Sequence, residues 1–166
     1  MFAKYIAFLV LICTLALALL VLKAPGYPVI GNDLKFQRID GQLQTFAEHK
    51  GKPLLIAFWS PSCNICMHEV EDLNNLYQAL NGGDHFELLA PSMVYDRPDQ
   101  VLQAASIKGM QYPVYLDLNN EIAQAFGNIV ATPTTFLFNS AGEIIYQHTG
   151  KLDFKLISQK LTQLME

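Results

Sequence analysis

Two cysteines three positions apart, Cys63 and Cys66, stand in the stretch Phe58-Trp59-Ser60-Pro61-Ser62-Cys63-Asn64-Ile65-Cys66-Met67-His68-Glu69. They follow an unbroken apolar run, Leu54 to Trp59, and open a segment with helical periodicity. A cysteine in the first turn of a helix meets unpaired backbone N–H groups and the positive end of the helix dipole, which favour thiolate over thiol. Cys66 comes one helical turn later on the core-facing side. An exposed thiolate backed by a shielded thiol is the arrangement that thiol–disulfide exchange requires: the first attacks a partner disulfide and the second resolves the mixed disulfide. Pro61 discourages helical extension upstream and keeps Cys63 at the helix start. A purely structural disulfide is a poor explanation, because long loops gain most from closure and this pair closes almost nothing.

Two other readings of the pair stay open. Both cysteines could be inert core residues. Alternatively, they bind metal. Structural zinc needs a second ligand pair, and His49, His68, His85 and His148 lack ligand spacing. Copper(I) needs only two soft thiolates, so a copper-handling module stands as a rival.

The elements that must position the pair can be read along the chain. Leu34–Arg38 and Leu43–Thr45 flank Asp40-Gly41, a hairpin signal. Leu54–Trp59 is a candidate central strand. From Cys63 to Leu80 the apolar residues Cys66, Val70, Leu73, Tyr77 and Leu80 step by four and three, and Asn81-Gly82-Gly83 ends the helix. Phe86–Ala90 reads as a second buried strand, and residues 98–108 as a helix opened by Asp96 and Pro98 and closed by Gly109. A short strand at Val114–Asp117 and a short helix at Asn119–Phe126 precede a hairpin, Thr134–Asn139 with Glu143–His148. Phe154–Leu164 is a terminal amphipathic helix. Parallel crossovers finished by an antiparallel pair make this an α/β domain over residues 34–166.

Upstream lies Tyr5–Leu22, 18 residues without a charge between Lys4 and Lys23. As a helix it would be roughly 27 Å long, close to hydrocarbon thickness. Residues 1–23 are therefore predicted to be a single-pass anchor with a cytoplasmic N-terminus, and 24–33 (APGYPVIGN within it) an extended linker. The competing reading is a cleaved signal peptide at Ala16-Leu17-Ala18, but the apolar run continues to Leu22. Either way the domain is exported, and Cys63 and Cys66 are its only cysteines. A net charge of -4 without any Lys/Arg run argues against nucleic-acid binding.

"FWSPSCNIC" after a hydrophobic strand, the lead-in "DGQLQTFAEHKGKPLLIAFW" and the downstream "ATPTTFLFNSAGEI" together resemble the membrane-anchored thioredoxin-like proteins of the TlpA/ResA/CcmG (DsbE) group. The resemblance covers about residues 34–164. It implies a thioredoxin-like fold, a central mixed sheet flanked by helices with an N-terminal β-hairpin and an extra β-α insertion. It also implies periplasmic thiol:disulfide exchange at the bacterial inner membrane, with Cys63–Cys66 as the redox-active disulfide and no other cofactor or metal. Reduction of oxidised protein thiols, apocytochrome c among them, and recharging by a membrane electron donor such as DsbD are further implications, for a chain expected to be a monomer. The proline matching Pro133 is cis in the group. A cis bond there exposes the backbone of Thr132 to pair with an extended substrate, so Thr132 and Pro133 join Trp59 and Pro61 as expected substrate contacts.

The chain also departs from the group's pattern. Ser62 stands where the group commonly has Trp, Asn64-Ile65 is neither a common reducing nor a common oxidising dipeptide, and Ala57 occupies the place of the buried aspartate of ordinary thioredoxins. Glu69 offers a substitute proton acceptor, matching an acidic position in the group's C-x-x-C-x-x-E pattern. Independently, Glu69, Leu73, Leu76 and Leu80 step by four, three and four, so the carboxyl borders the apolar stripe and should have a raised pKa. The plainer alternative is a first-turn glutamate favoured by the dipole. His68 is expected to be a solvated surface residue. The loop Ala90–Pro98 is a candidate for partner selection. A non-catalytic anchored binding domain is the remaining rival.

Overall fold

The computed structural model describes Tyr5, Ile6, Ile12, Thr14 and residues 26–166. The expected anchor over 1–23 lies outside the described residues apart from those four, which are helical. Among the described residues no helix is long and apolar enough to cross a membrane.

The chain forms β1 (Lys35–Arg38), β2 (Leu43–Thr45), a 3-10 turn (Phe46–His49), β3 (Leu54–Phe58), α1 (Asn64–Ala79), β4 (Glu87–Pro91), α2 (Pro98–Lys108), β5 (Val114–Leu116), α3 (Glu121–Ala125), β6 (Thr134–Phe138), β7 (Ile144–Thr149) and α4 (Phe154–Met165). The strands make one mixed sheet in the order β2-β1-β5-β4-β3-β6-β7. β3 lies parallel to β4 and antiparallel to β6, and β4 lies parallel to β5. The N-terminal hairpin turns at Gly41, whose φ of 90° suits a residue without Cβ, and β1 adds antiparallel to β5. The α2–β5 pair, inserted between β4 and α3, is the extra strand-and-helix unit.

β3 is buried along its whole length, so its alternation sorts the core into two layers. Leu55, Ala57 and Trp59 face one layer, with Leu73 and Leu76 of α1, Val101 of α2 and Ile157 and Leu161 of α4. Leu54, Ile56 and Phe58 face the other, which is largely aromatic: Phe36, Phe46, Phe126, Phe136 and Phe138. Phe58 meets the Phe126 and Phe136 rings edge-on, with centroids 5.2 and 6.1 Å away. Ile30, in the expected linker, is buried in this second layer, so the chain is docked before β1 begins. α1 thus rests on the sheet directly beyond the end of its central strand. Asp117 is buried at the end of β5, where its carboxylate accepts the Ile122 and Ala123 N–H groups of α3 at 3.1 and 2.8 Å.

Candidate active site

Cys63 is the N-cap of α1, with extended backbone at φ -85° and ψ 105°. Its sulfur accepts the backbone N–H of Cys66 at 3.1 Å. The two cysteines are joined as a disulfide with their Cα atoms 5.3 Å apart. Their exposure differs: Cys63 is half-buried, while Cys66 is 4% exposed and belongs to the core layer beneath α1. The first turn of α1 carries no acidic residue, so nothing there opposes a negative sulfur at its mouth. Pro61 is half-buried in the turn before it, and the Cys63 N–H donates to Ser60 O at 3.0 Å.

Glu69 is buried at 5% exposure. The backbone N–H of Leu152, at the entry to α4, donates to its Oε1 at 2.6 Å. Burial raises its pKa above the ordinary carboxyl range, against the smaller opposing pull of the Leu152 N–H and Lys151. The apolar-stripe position expected for this residue is therefore where the structure puts it. Tyr112 lies in the same region, its phenol pushed well above its usual range by burial and by the Glu69 carboxylate.

Thr132-Pro133 is a cis peptide. Cys66, Glu69, Trp59, Tyr112 and Pro133 line one small cavity of about 10 Å³, close to the least that holds one water. Thr132 is half-buried at its edge of the fold. Trp59 is only 4% exposed, with its indole N–H donating to Ala90 O at 3.1 Å, so it faces the cysteine and proline from below rather than solvent. His68 is exposed and its Nδ1 lies 2.7 Å from Asn64 O.

Three participants escaped the sequence reading. Leu152 is 83 residues from Glu69 and contributes only its backbone N–H, which no motif marks. Tyr112 precedes a short strand and carried no spacing signal. Asp96, expected to open α2, instead bonds Ser60 Oγ at 2.6 Å and the Met93 N–H at 3.0 Å, leaving Arg97 as an N-cap whose side chain makes no capping bond. Among the described residues no three or more His, Cys, Asp or Glu side chains group as a metal site.

Known proteins resemble this chain in sequence and fold. The thiol-disulfide oxidoreductase ResA of Geobacillus thermodenitrificans is 25% identical over 169 residues, spanning 93% of this chain and 95% of that protein. The sporulation thiol-disulfide oxidoreductase A of Bacillus subtilis is 27% identical over 124 residues, 74% of this chain and 72% of its own. The crystal structure of a thiol:disulfide interchange protein of the thioredoxin family from Chlorobium tepidum superimposes with a TM-score of 0.73 at 20% identity, covering 86% of this chain and all of that one. The Redoxin family model matches residues 30–161, from the docked Ile30 through most of α4, and this chain belongs to that family.

Proposed function

We infer that the protein is a thiol:disulfide oxidoreductase whose redox centre is Cys63–Cys66. One observation carries this reading: a disulfide joins a half-buried helix-capping cysteine to a buried one at the end of the central strand. In the reduced protein the Cys63 thiolate attacks one sulfur of a protein disulfide. The substrate S–S bond breaks, a Cys63–substrate bond forms, and one substrate thiolate leaves. Cys66 passes its proton to Glu69 and attacks the Cys63 sulfur. The mixed disulfide breaks, the second substrate thiol departs, and the enzyme keeps the Cys63–Cys66 bond, having given up two electrons. The Cys66 N–H that meets Cys63 Sγ in the oxidised form steadies the same sulfur as a thiolate.

Thr132 and Pro133 form the rest for an extended substrate segment, supported by Pro133 sharing a cavity wall with Cys66. We assign the reductive direction, a single-pass anchor at residues 1–23 with the domain outside the cytoplasm, and monomeric action. An external dithiol relay such as DsbD would restore the electrons, with oxidised protein thiols, apocytochrome c among them, as substrates. The uncharged Tyr5–Leu22 segment and the group resemblance support these assignments.

Insulin reduction with dithiothreitol as the electron source tests the central reading. Detergent-solubilised full-length protein should accelerate it, and Cys63→Ser should fall to the uncatalysed rate. Equal rates for the two proteins would refute the assignment.

A further inference from the structure

The turn that presents Cys63 is held by more than its backbone. Ser60 is 1% exposed, and its carbonyl accepts the Cys63 N–H. Its Oγ lies 2.6 Å from Asp96 Oδ1, 2.8 Å from Ser62 Oγ and 3.2 Å from the Ser62 N–H. An ionised carboxylate only accepts, so the Ser60 hydroxyl must donate to Asp96. Both contacts from Ser62 then donate into the Ser60 oxygen. The chain of bonds has one direction, running from Ser62 through Ser60 to Asp96, and it uses every hydrogen-bonding capacity of the buried Ser60 hydroxyl.

Asp96 closes a second turn at the same time. Its Oδ2 takes the Met93 N–H at 3.0 Å, and its own N–H donates to Met93 O at 2.9 Å. One carboxylate thus ties residues 60–63 to residues 93–96. At the tip of the second turn Val94 and Tyr95 are 42% and 60% exposed, and Ile65, between the cysteines, is 46% exposed.

We propose that Asp96 is a positioning residue for the thiol:disulfide exchange, acting through the Ser60 hydroxyl to hold the Cys63 turn against the mouth of α1 and the Val94–Tyr95 tip. This rests on Cys63 being the attacking sulfur. The bonds to Asp96 are charge-assisted and partly buried, which makes them stronger than neutral ones. Without them the turn keeps the Cys63 N–H to Ser60 O bond and the Ser62 contacts with Ser60 Oγ, but loses its tie to residues 93–96. Cys63 then spends less time capping α1 in line with the Cys66 N–H. Cys63 reactivity falls while the sheet and its two core layers are untouched.

The test compares Ser60→Ala, Asp96→Ala and the double variant in the reduced full-length protein. Mass spectrometry follows iodoacetamide labelling of Cys63 against pH, and insulin turnover is resolved into kcat and KM. Each single variant should slow Cys63 labelling at pH 7 about fivefold and move its pH profile upward. The double variant should be no worse than Ser60→Ala, because the two side chains act as one unit. Asp96→Asn, which retains one acceptor for Ser60, should recover part of the loss, and it serves as the Asp96 variant if Asp96→Ala does not fold. Losses that multiply in the double variant, or a wild-type labelling profile in folded Ser60→Ala, overturn the proposal. Labelling is read without any substrate, so this outcome is distinct from a failure of the Cys63→Ser comparison, which would remove the proposed activity itself.

Discussion

Replacing Glu69 by glutamine and by alanine separates what its charge does from what its oxygen holds. Alanine removes the carboxylate oxygen that accepts the Leu152 N–H and leaves that donor buried, at about 1–3 kcal/mol. The lost methylene adds about 0.8 kcal/mol. The sum, about 2–4 kcal/mol, corresponds to roughly 6–20 °C in Tm at about 3–5 °C per kcal/mol for a domain of this size. Glutamine keeps an oxygen for Leu152 and carries no charge, so it escapes the desolvation that dominates at this site.

The sign follows from linkage. The folded-state pKa of Glu69 is raised, so its favourable contribution is complete below the unfolded carboxyl pKa, about 4.3, and is lost as pH rises through the folded value. Glu69→Gln should therefore match the wild type near pH 4 and become progressively more stable than it toward pH 8. Thermal unfolding of the oxidised proteins by circular dichroism across that range measures the difference directly. A gap that does not change with pH would show that burial does not perturb this carboxyl. A glutamine variant as unstable as the alanine variant would show that the Leu152 bond is immaterial. In stopped-flow exchange, Glu69→Gln should slow resolution of the mixed disulfide by about a hundredfold, the ordinary loss for a missing general base.

Other outcomes follow from the same geometry. Cys66→Ser should trap the Cys63 mixed disulfide with substrate as a dithiothreitol-sensitive band on a non-reducing gel, whereas Cys63→Ser should give no band. Trp59 is the sole tryptophan and shares a cavity wall with Cys66. Its fluorescence should rise when the quenching disulfide is reduced, so a glutathione titration of that signal yields the reduction potential; an unchanged spectrum would contradict the packing. Asp117→Ala leaves two α3 amides without their acceptors, at about 2–4 kcal/mol, and should lower the urea midpoint without altering Cys63 labelling.

Local signals carried most of the architecture. The uniform apolar character of Leu54–Phe58 marked a strand buried on both faces, and Asp40-Gly41 marked the hairpin, because both are short-range consequences of backbone geometry. The step of Cys66, Glu69 and Leu73 placed the second sulfur and the carboxyl on the buried side of α1 for the same reason. What escaped depends on long-range approach. Nothing local says that β6 returns antiparallel beside β3, or that the Leu152 amide lands on Glu69. Asp96 misled in an instructive way. An aspartate ahead of Pro98 has the form of a helix start, yet a buried serine hydroxyl 36 residues away competes for its carboxylate and takes it.

The bond from Leu152 to Glu69 has a temporal side. During synthesis both cysteines and Glu69 leave the ribosome long before Leu152, and Glu69 lacks this backbone donor until α4 has settled on the sheet. In the reading proposed above, the proton acceptor of the second sulfur is thus the part of the site that waits longest for its backbone partner.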